Sequence, residues 1–200
     1  MGCVVHVVAA RVRADVEVGA LDGVVELARG LVEVEDARAV AVGRSEEQLI
    51  VATWLRDRAS MERFASSAAH MTFIMRGVAS VTSGMWSAAA ETDVEPPVAA
   101  AAPAEARSMW VFGVHGGDEV YEWEVRGVLD DVGRLDATGA CGSTFEERDR
   151  FRAAGVLFAS GAQAAEVEAS LSVEVARWAE GGLRVEIASA PVVALERRAS

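Results

Sequence analysis

Residues 92–107 read T-D-V-E-P-P-V-A-A-A-A-P-A-E-A-R and divide the chain. Three of the four prolines, Pro96, Pro97 and Pro103, fall in this stretch. Proline fixes φ and has no backbone donor, so the Pro-Pro pair continues neither a helix nor a sheet ladder. An extended linker, or a strap along the surface, is expected here. The flanking segments 1–91 and 108–200 are nearly equal in length, and each spells the same order of elements.

In the first segment, Cys3–Val12 is β-branched and alternating, which predicts a strand. Val16–Arg29 sets Leu21, Val24, Val25 and Ala28 on one helical face, with Leu31 following and Gly30 as the stop. Glu35–Val42 and Gln48–Leu55 read as strands joined by a turn over 43–47. Ser60–Ala68 is helical, with Met61, Phe64, Ala65 and Ala68 on one stripe. A partly helical stretch holding His70 and Arg76 leads to a last strand, Val81–Ala90.

The second segment repeats the order. Met109–Val114 predicts a strand, and Val120–Leu135 a helix with Asp118 as its N-cap and Tyr121, Val125, Val128 and Val132 on one face. Asp136–Gly142 and Phe151–Ala159 read as strands, Ala162–Trp178 as a helix closed by Gly181-Gly182, and Leu183–Ala188 as the final strand. The expected fold class is α+β: two ferredoxin-like βαββαβ units in tandem, 1–91 and 108–200, joined by the linker 92–107. Such a unit puts both helices on one face of a four-stranded antiparallel sheet and leaves the other face apolar and bare. Two units in one chain can cover each other sheet to sheet, as a pseudo-dimeric α+β barrel. Further association into a homodimer stays open.

Composition limits the function. The 200 residues hold 19 Arg, no Lys and no Asn, against 31 Asp and Glu, for a net charge of −12. An acidic surface repels phosphate backbones, so nucleic acid is not an expected partner. The 52% hydrophobic content and mean hydropathy of +0.21 suit a chain with a sizeable core. The Arg-only, Ala- and Val-rich bias fits a GC-rich bacterial genome. No apolar run reaches membrane-spanning length and no signal-peptide pattern is visible, so the expected setting is the cytoplasm. Cys3 and Cys141 are too few and too far apart for a disulfide framework or a zinc site, and no metal is expected.

The stretch 51–70, V-A-T-W-L-R-D-R-A-S-M-E-R-F-A-S-S-A-A-H, runs from a strand ending in an aromatic residue, through a charged turn and an amphipathic helix, to a histidine. His70 reads as a general base able to take a phenolic proton near neutral pH, or as a helix-end residue bonded to backbone. Trp54 and Trp86 read as stacking walls for a flat ligand, or as core rings in strands. His6 shares one strand face with Val4 and Val8. It enters a pocket beside His70 if that face meets the helices, and is a core residue if it meets the other sheet. Arg76 is a candidate partner for a ligand carboxylate or phenolate, or a surface residue. Gly113–Asp118 lacks phosphate-loop spacing and reads as a β-to-α turn, and the mixed charges of Glu146–Arg150 read as a solvated hairpin turn.

This stretch resembles the dimeric α+β barrel superfamily, and within it the antibiotic-biosynthesis monooxygenase-like members, whose third strand ends near a Trp and whose second helix ends near a His. The likeness covers residues 3–91 by motif and 108–190 by element order. It implies a pocket between sheet and helices that takes flat aromatic or polyketide-like molecules, oxygenated without metal, flavin or other cofactor. There His70 would be the base, with Trp54, Phe64, His6, Trp86 and Arg76 around the substrate. The haem-degrading branch depends on an Asn, and this sequence has none; Phe64 also stands where that branch has a Trp. The second segment offers no counterpart of Trp54 or His70, so the first is expected to hold the pocket and the second to act as its structural partner. The alternative reading is a non-catalytic, ligand-binding or stress-responsive barrel.

Overall fold

The computed structural model describes residues 2–96, 107–115, 122–135, 137–145 and 150–198. Most of the linker, the Asp118 cap, Tyr121 and residues 146–149 of the charged turn lie outside these. The elements are β1 (Cys3–Val12), α1 (Val18–Arg29), β2 (Ala37–Arg44), β3 (Gln48–Leu55), α2 (Arg58–Ser66), α3 (Ala68–Thr72), a π-helical segment (Phe73–Val78), α4 (Ala79–Val81) and β4 (Thr82–Thr92). They continue as β5 (Arg107–His115), α5 (Glu122–Val132), β6 (Thr138–Ser143), β7 (Phe151–Ser160), α6 (Ala164–Glu180) and β8 (Val185–Arg197).

The expected α+β class and both βαββαβ runs are present. The joint between them differs from two separate sheets lying face to face. All eight strands form one antiparallel sheet in the order β4-β1-β3-β2-β8-β5-β7-β6. The edges of this sheet approach each other again, with Ala90 of β4 bridging Thr144 just after β6. The sheet therefore curls into a barrel, and the bare faces shield each other inside it.

The link is β8. The sequence predicts its end at Ala188. Instead β8 continues to Arg197. Its first half pairs with β5, from Val114↔Val185 to Ser108↔Pro191. Its second half pairs with β2, from Gly43↔Val192 to Ala39↔Arg197. Val42 faces Ala194 while Gly43 faces Val192, so Val193 is an extra, bulged residue. Proline and bulge sit where the strand changes partner, the one place in a ladder that tolerates both.

Alternation explains why the central strands are almost wholly apolar. In β1, Val4, Val8, Ala10 and Val12 pack outward under the first-half helices, while Cys3, Val5, Val7 and Ala9 face the barrel interior. In β3, Leu49, Val51 and Leu55 point out and Ile50, Ala52 and Trp54 point in. The interior core draws on both halves, with Ala39, Ala41, Ala88 and Ala90 against Ala140, Ala154, Ala188 and Ala190. These small side chains let opposite walls approach closely. A third core, with Trp110, Phe112, Leu171 and Trp178, lies between the second-half strands and α5 and α6. No helix among the described residues is long and apolar enough to cross a membrane.

Candidate functional site

Local capping positions His70. Asp57 caps α2, its Oδ1 accepting from the Ser60 amide at 2.8 Å. At Ser67 the backbone turns extended (φ −67°, ψ 147°), ending α2 and starting α3, whose His70 amide donates to Ser67 Oγ at 3.2 Å. This break brings the His70 ring back over α2, where Nδ1 lies 3.1 Å from the Ala65 carbonyl. A carbonyl can only accept, so Nδ1 carries the proton in the neutral ring. Nε2 is then an acceptor, and it is buried without a partner among the described residues.

His6 joins it. Its β1 face, shared with Val4 and Val8, meets the helices rather than the barrel interior. The His6 ring lies 5.7 Å from that of His70 and 5.9 Å from that of Phe64, and Phe64 and His70 are 4.7 Å apart. Burial pushes the His6 pKa down to about 3, and the neighbouring His70 adds to the effect. Burial also lowers His70, partly opposed by the hydrogen bond to Ala65. Both rings are therefore neutral near pH 7. The cluster can accept a proton at one buried nitrogen.

The remaining sequence-derived residues stand elsewhere. Trp54 faces the barrel interior, on the opposite side of the sheet from His70, and stacks on Phe158 with ring centroids 6.1 Å apart and planes 27° from parallel. Its Nε1 is buried without a partner among the described residues. Trp86 lies near one end of the barrel, 5.2 Å from Phe151. Arg76 is exposed on the π-helical segment. The structure thus brings together His70, His6 and Phe64, and separates Trp54, Trp86 and Arg76 from them. Among the described residues, no group of three or more His, Cys, Asp or Glu is placed to hold a metal ion.

A second constellation was not visible in the sequence. His115 ends β5, and its Nε2 lies 2.8 Å from Glu186 Oε1 of β8. A histidine that leaves its strand beside a glycine-rich turn carries no sign of a carboxylate 71 positions away. The only available cue was that both residues belong to strands that can be neighbours.

No family model matches the chain, and no curated protein matches it. Solved structures do, at low identity. One is a candidate monooxygenase from Lactobacillus acidophilus NCFM, with 7% identity over 98% of this chain and 97% of that one, at a TM-score of 0.61. A second, from Fusobacterium nucleatum subsp. nucleatum ATCC 25586, carries the same description, with 10% identity, coverage of 98% and 94%, and a TM-score of 0.59. An anthrone oxidase-like protein matches with 11% identity, coverage of 98% and 93%, and a TM-score of 0.64. At such identity these similarities establish the shared fold, over the whole length of both chains.

Proposed function

We propose that this chain is a cofactor-independent monooxygenase, or a related tailoring enzyme, acting on an aromatic or polyketide-like small molecule. In this reading unit 1 (residues 1–91) carries the reaction, unit 2 (108–200) is its structural partner, and 92–107 links them. The observation that carries the reading is His70: a neutral imidazole with Nδ1 committed to the Ala65 carbonyl and a buried Nε2 lone pair free to take a proton. The full-length likeness to candidate monooxygenases and an anthrone oxidase-like protein supports the same choice of chemistry.

His70 Nε2 removes a proton from an acidic phenol or ring methylene, leaving an electron-rich carbanion. The carbanion passes electrons to dioxygen and bonds to it. His70 returns its proton to the peroxide anion, and the hydroperoxide loses water, which carries away one oxygen atom and two substrate hydrogens, while the other oxygen stays on the ring carbon as a carbonyl. Phe64 packs against the substrate ring, and buried His6 keeps the chamber free of positive charge. The test is oxygen consumption with anthrone as probe. Wild type should consume oxygen and His70→Ala should be slower by about 10²–10⁴-fold. Equal rates would remove His70 from the reaction, and no consumption with anthrone or related polycyclic phenols would overturn the reading.

One observation favours a non-catalytic, ligand-binding barrel as the second reading. Phe64 and Met61 are buried against the sheet beside His70, and the 590 Å³ cleft of the structure is not lined by His6, Phe64 or His70. The same oxygen measurement separates the two.

A further inference from the structure

A cleft of about 590 Å³ opens at one end of the barrel, between the ends of β1 and β4 and the start of β8. Its volume is in the range of drug-sized ligand sites. Three cationic residues line it: Arg11, Arg150 and Arg184. Glu186 is the one carboxylate among its lining residues. Among the described residues this is a local excess of positive charge, in a chain of net charge −12.

Glu186 is already engaged. Its Oε1 takes the His115 imidazole at 2.8 Å and the Arg150 guanidinium at 3.0 Å, with Arg184 at 3.8 Å. The Arg150 guanidinium also lies 4.8 Å over the Phe151 ring, so its position is fixed from two sides. Arg11, by contrast, has no carboxylate partner among the described residues. Trp86 lines the cleft 5.2 Å from Phe151, with Met85 exposed beside it. Arginines with charge to spare stand next to an aromatic wall. Glu46 and Glu47 line an adjoining depression that shares Gln48, Ile187 and Ala188 with the cleft.

We propose that this cleft binds an aromatic carboxylate, its ring against Trp86 and its carboxylate on Arg11 and Arg184. A planar guanidinium matches a carboxylate in a two-point bond, and an indole face suits a flat ring. His115 is a positioning residue: through Glu186 it holds Arg150 over Phe151. The site lies at the barrel end, apart from His70, so it does not depend on the proposed oxygenation.

The experiment is calorimetric titration of the full chain with 1-naphthoate, using uncharged 1-naphthamide as control. Wild type should bind one naphthoate, more weakly as salt rises, and the amide should bind about tenfold less tightly or worse. Arg11→Gln, which removes an exposed side chain, and the double variant R11Q/R184Q should each weaken naphthoate, the double by about tenfold or more. Trp86→Leu should weaken naphthoate and naphthamide alike, and His70→Ala should leave both unchanged. Equal binding of acid and amide, unchanged affinity in R11Q and the double variant, no binding at millimolar naphthoate, or its loss in His70→Ala would each overturn the site.

Discussion

His6 and His70 show how one histidine is constrained by another. Each is kept neutral by burial, and His70 adds to the lowering at His6. The linkage has a definite sign. The unfolded chain binds protons at these rings as pH falls through ~6.5, whereas the folded chain keeps His6 neutral down to about 3. Stability from this burial is thus fully present above about pH 7 and declines as acid is added. Between pH 7 and 5.5, wild type should lose ~1.3 kcal/mol through His6 alone. His6→Leu should lose that much less over the interval, as read by urea denaturation at the two pH values. For the proposed oxygenation the sign is favourable: His70, with its pKa lowered, stays neutral below the ordinary histidine range, so the acid limb of oxygen consumption should lie below pH ~6.5. Trp54 is a different residue-scale case. Its stacked ring fills the lumen, but its N–H has no partner there. Trp54→Phe removes the orphan donor while keeping a ring, so it should change stability by less than about 1 kcal/mol, whereas Trp54→Ala should cost about 3–5 kcal/mol.

At the scale of elements, the barrel closes where β6 meets β4, and Gly142 is the reason it can. A Cβ there would lie 1.6 Å from the Glu91 carbonyl oxygen, a backbone atom that cannot step aside. Gly142→Ala should force the two edges apart and lower the melting temperature. Gly23, inside α1, has nothing within 4 Å of the corresponding position, so Gly23→Ala should stabilise by about 0.5–1 kcal/mol through helix propensity. Thermal unfolding of the two variants side by side checks both signs. Across the same seam, Arg58 reaches Glu91 through two hydrogen bonds of 2.6 and 2.9 Å and lies over Phe145 at 4.7 Å. An exposed pair of this kind adds little stability, but it marks the register in which the edges meet.

For the whole molecule, the interior core belongs to neither half. Its walls come from β1–β4 on one side and β5–β8 on the other, so neither half can bury its inner face alone. Unfolding should therefore be a single cooperative transition by calorimetry, and two resolved transitions would show that the halves fold separately. Removing residues 191–200 deletes the length of β8 that pairs with β2. That truncation should expose the lumen and produce aggregation or dye-binding apolar surface, seen by fluorescence of an added hydrophobic probe.

Much of this was legible along the chain. The order of elements, the strands Cys3–Val12 and Gln48–Leu55, and the repeated βαββαβ pattern follow from periodicity, because a half-buried strand or helix must repeat its apolar positions at its own pitch. The nearness of His70 to its own helix was also local. Which sheet face each residue took was not. Trp54 and Thr53 are adjacent in sequence, yet one faces the lumen and the other pairs with His6; when both faces are apolar, alternation no longer says which is inside. The continuation of β8 past Pro191, the closure at Gly142 and the His115–Glu186 pair all depend on strands brought together from distant parts of the chain. Short-range preferences determined the pieces, and long-range hydrogen bonding and burial decided how those pieces close into a barrel and which side chains meet around it.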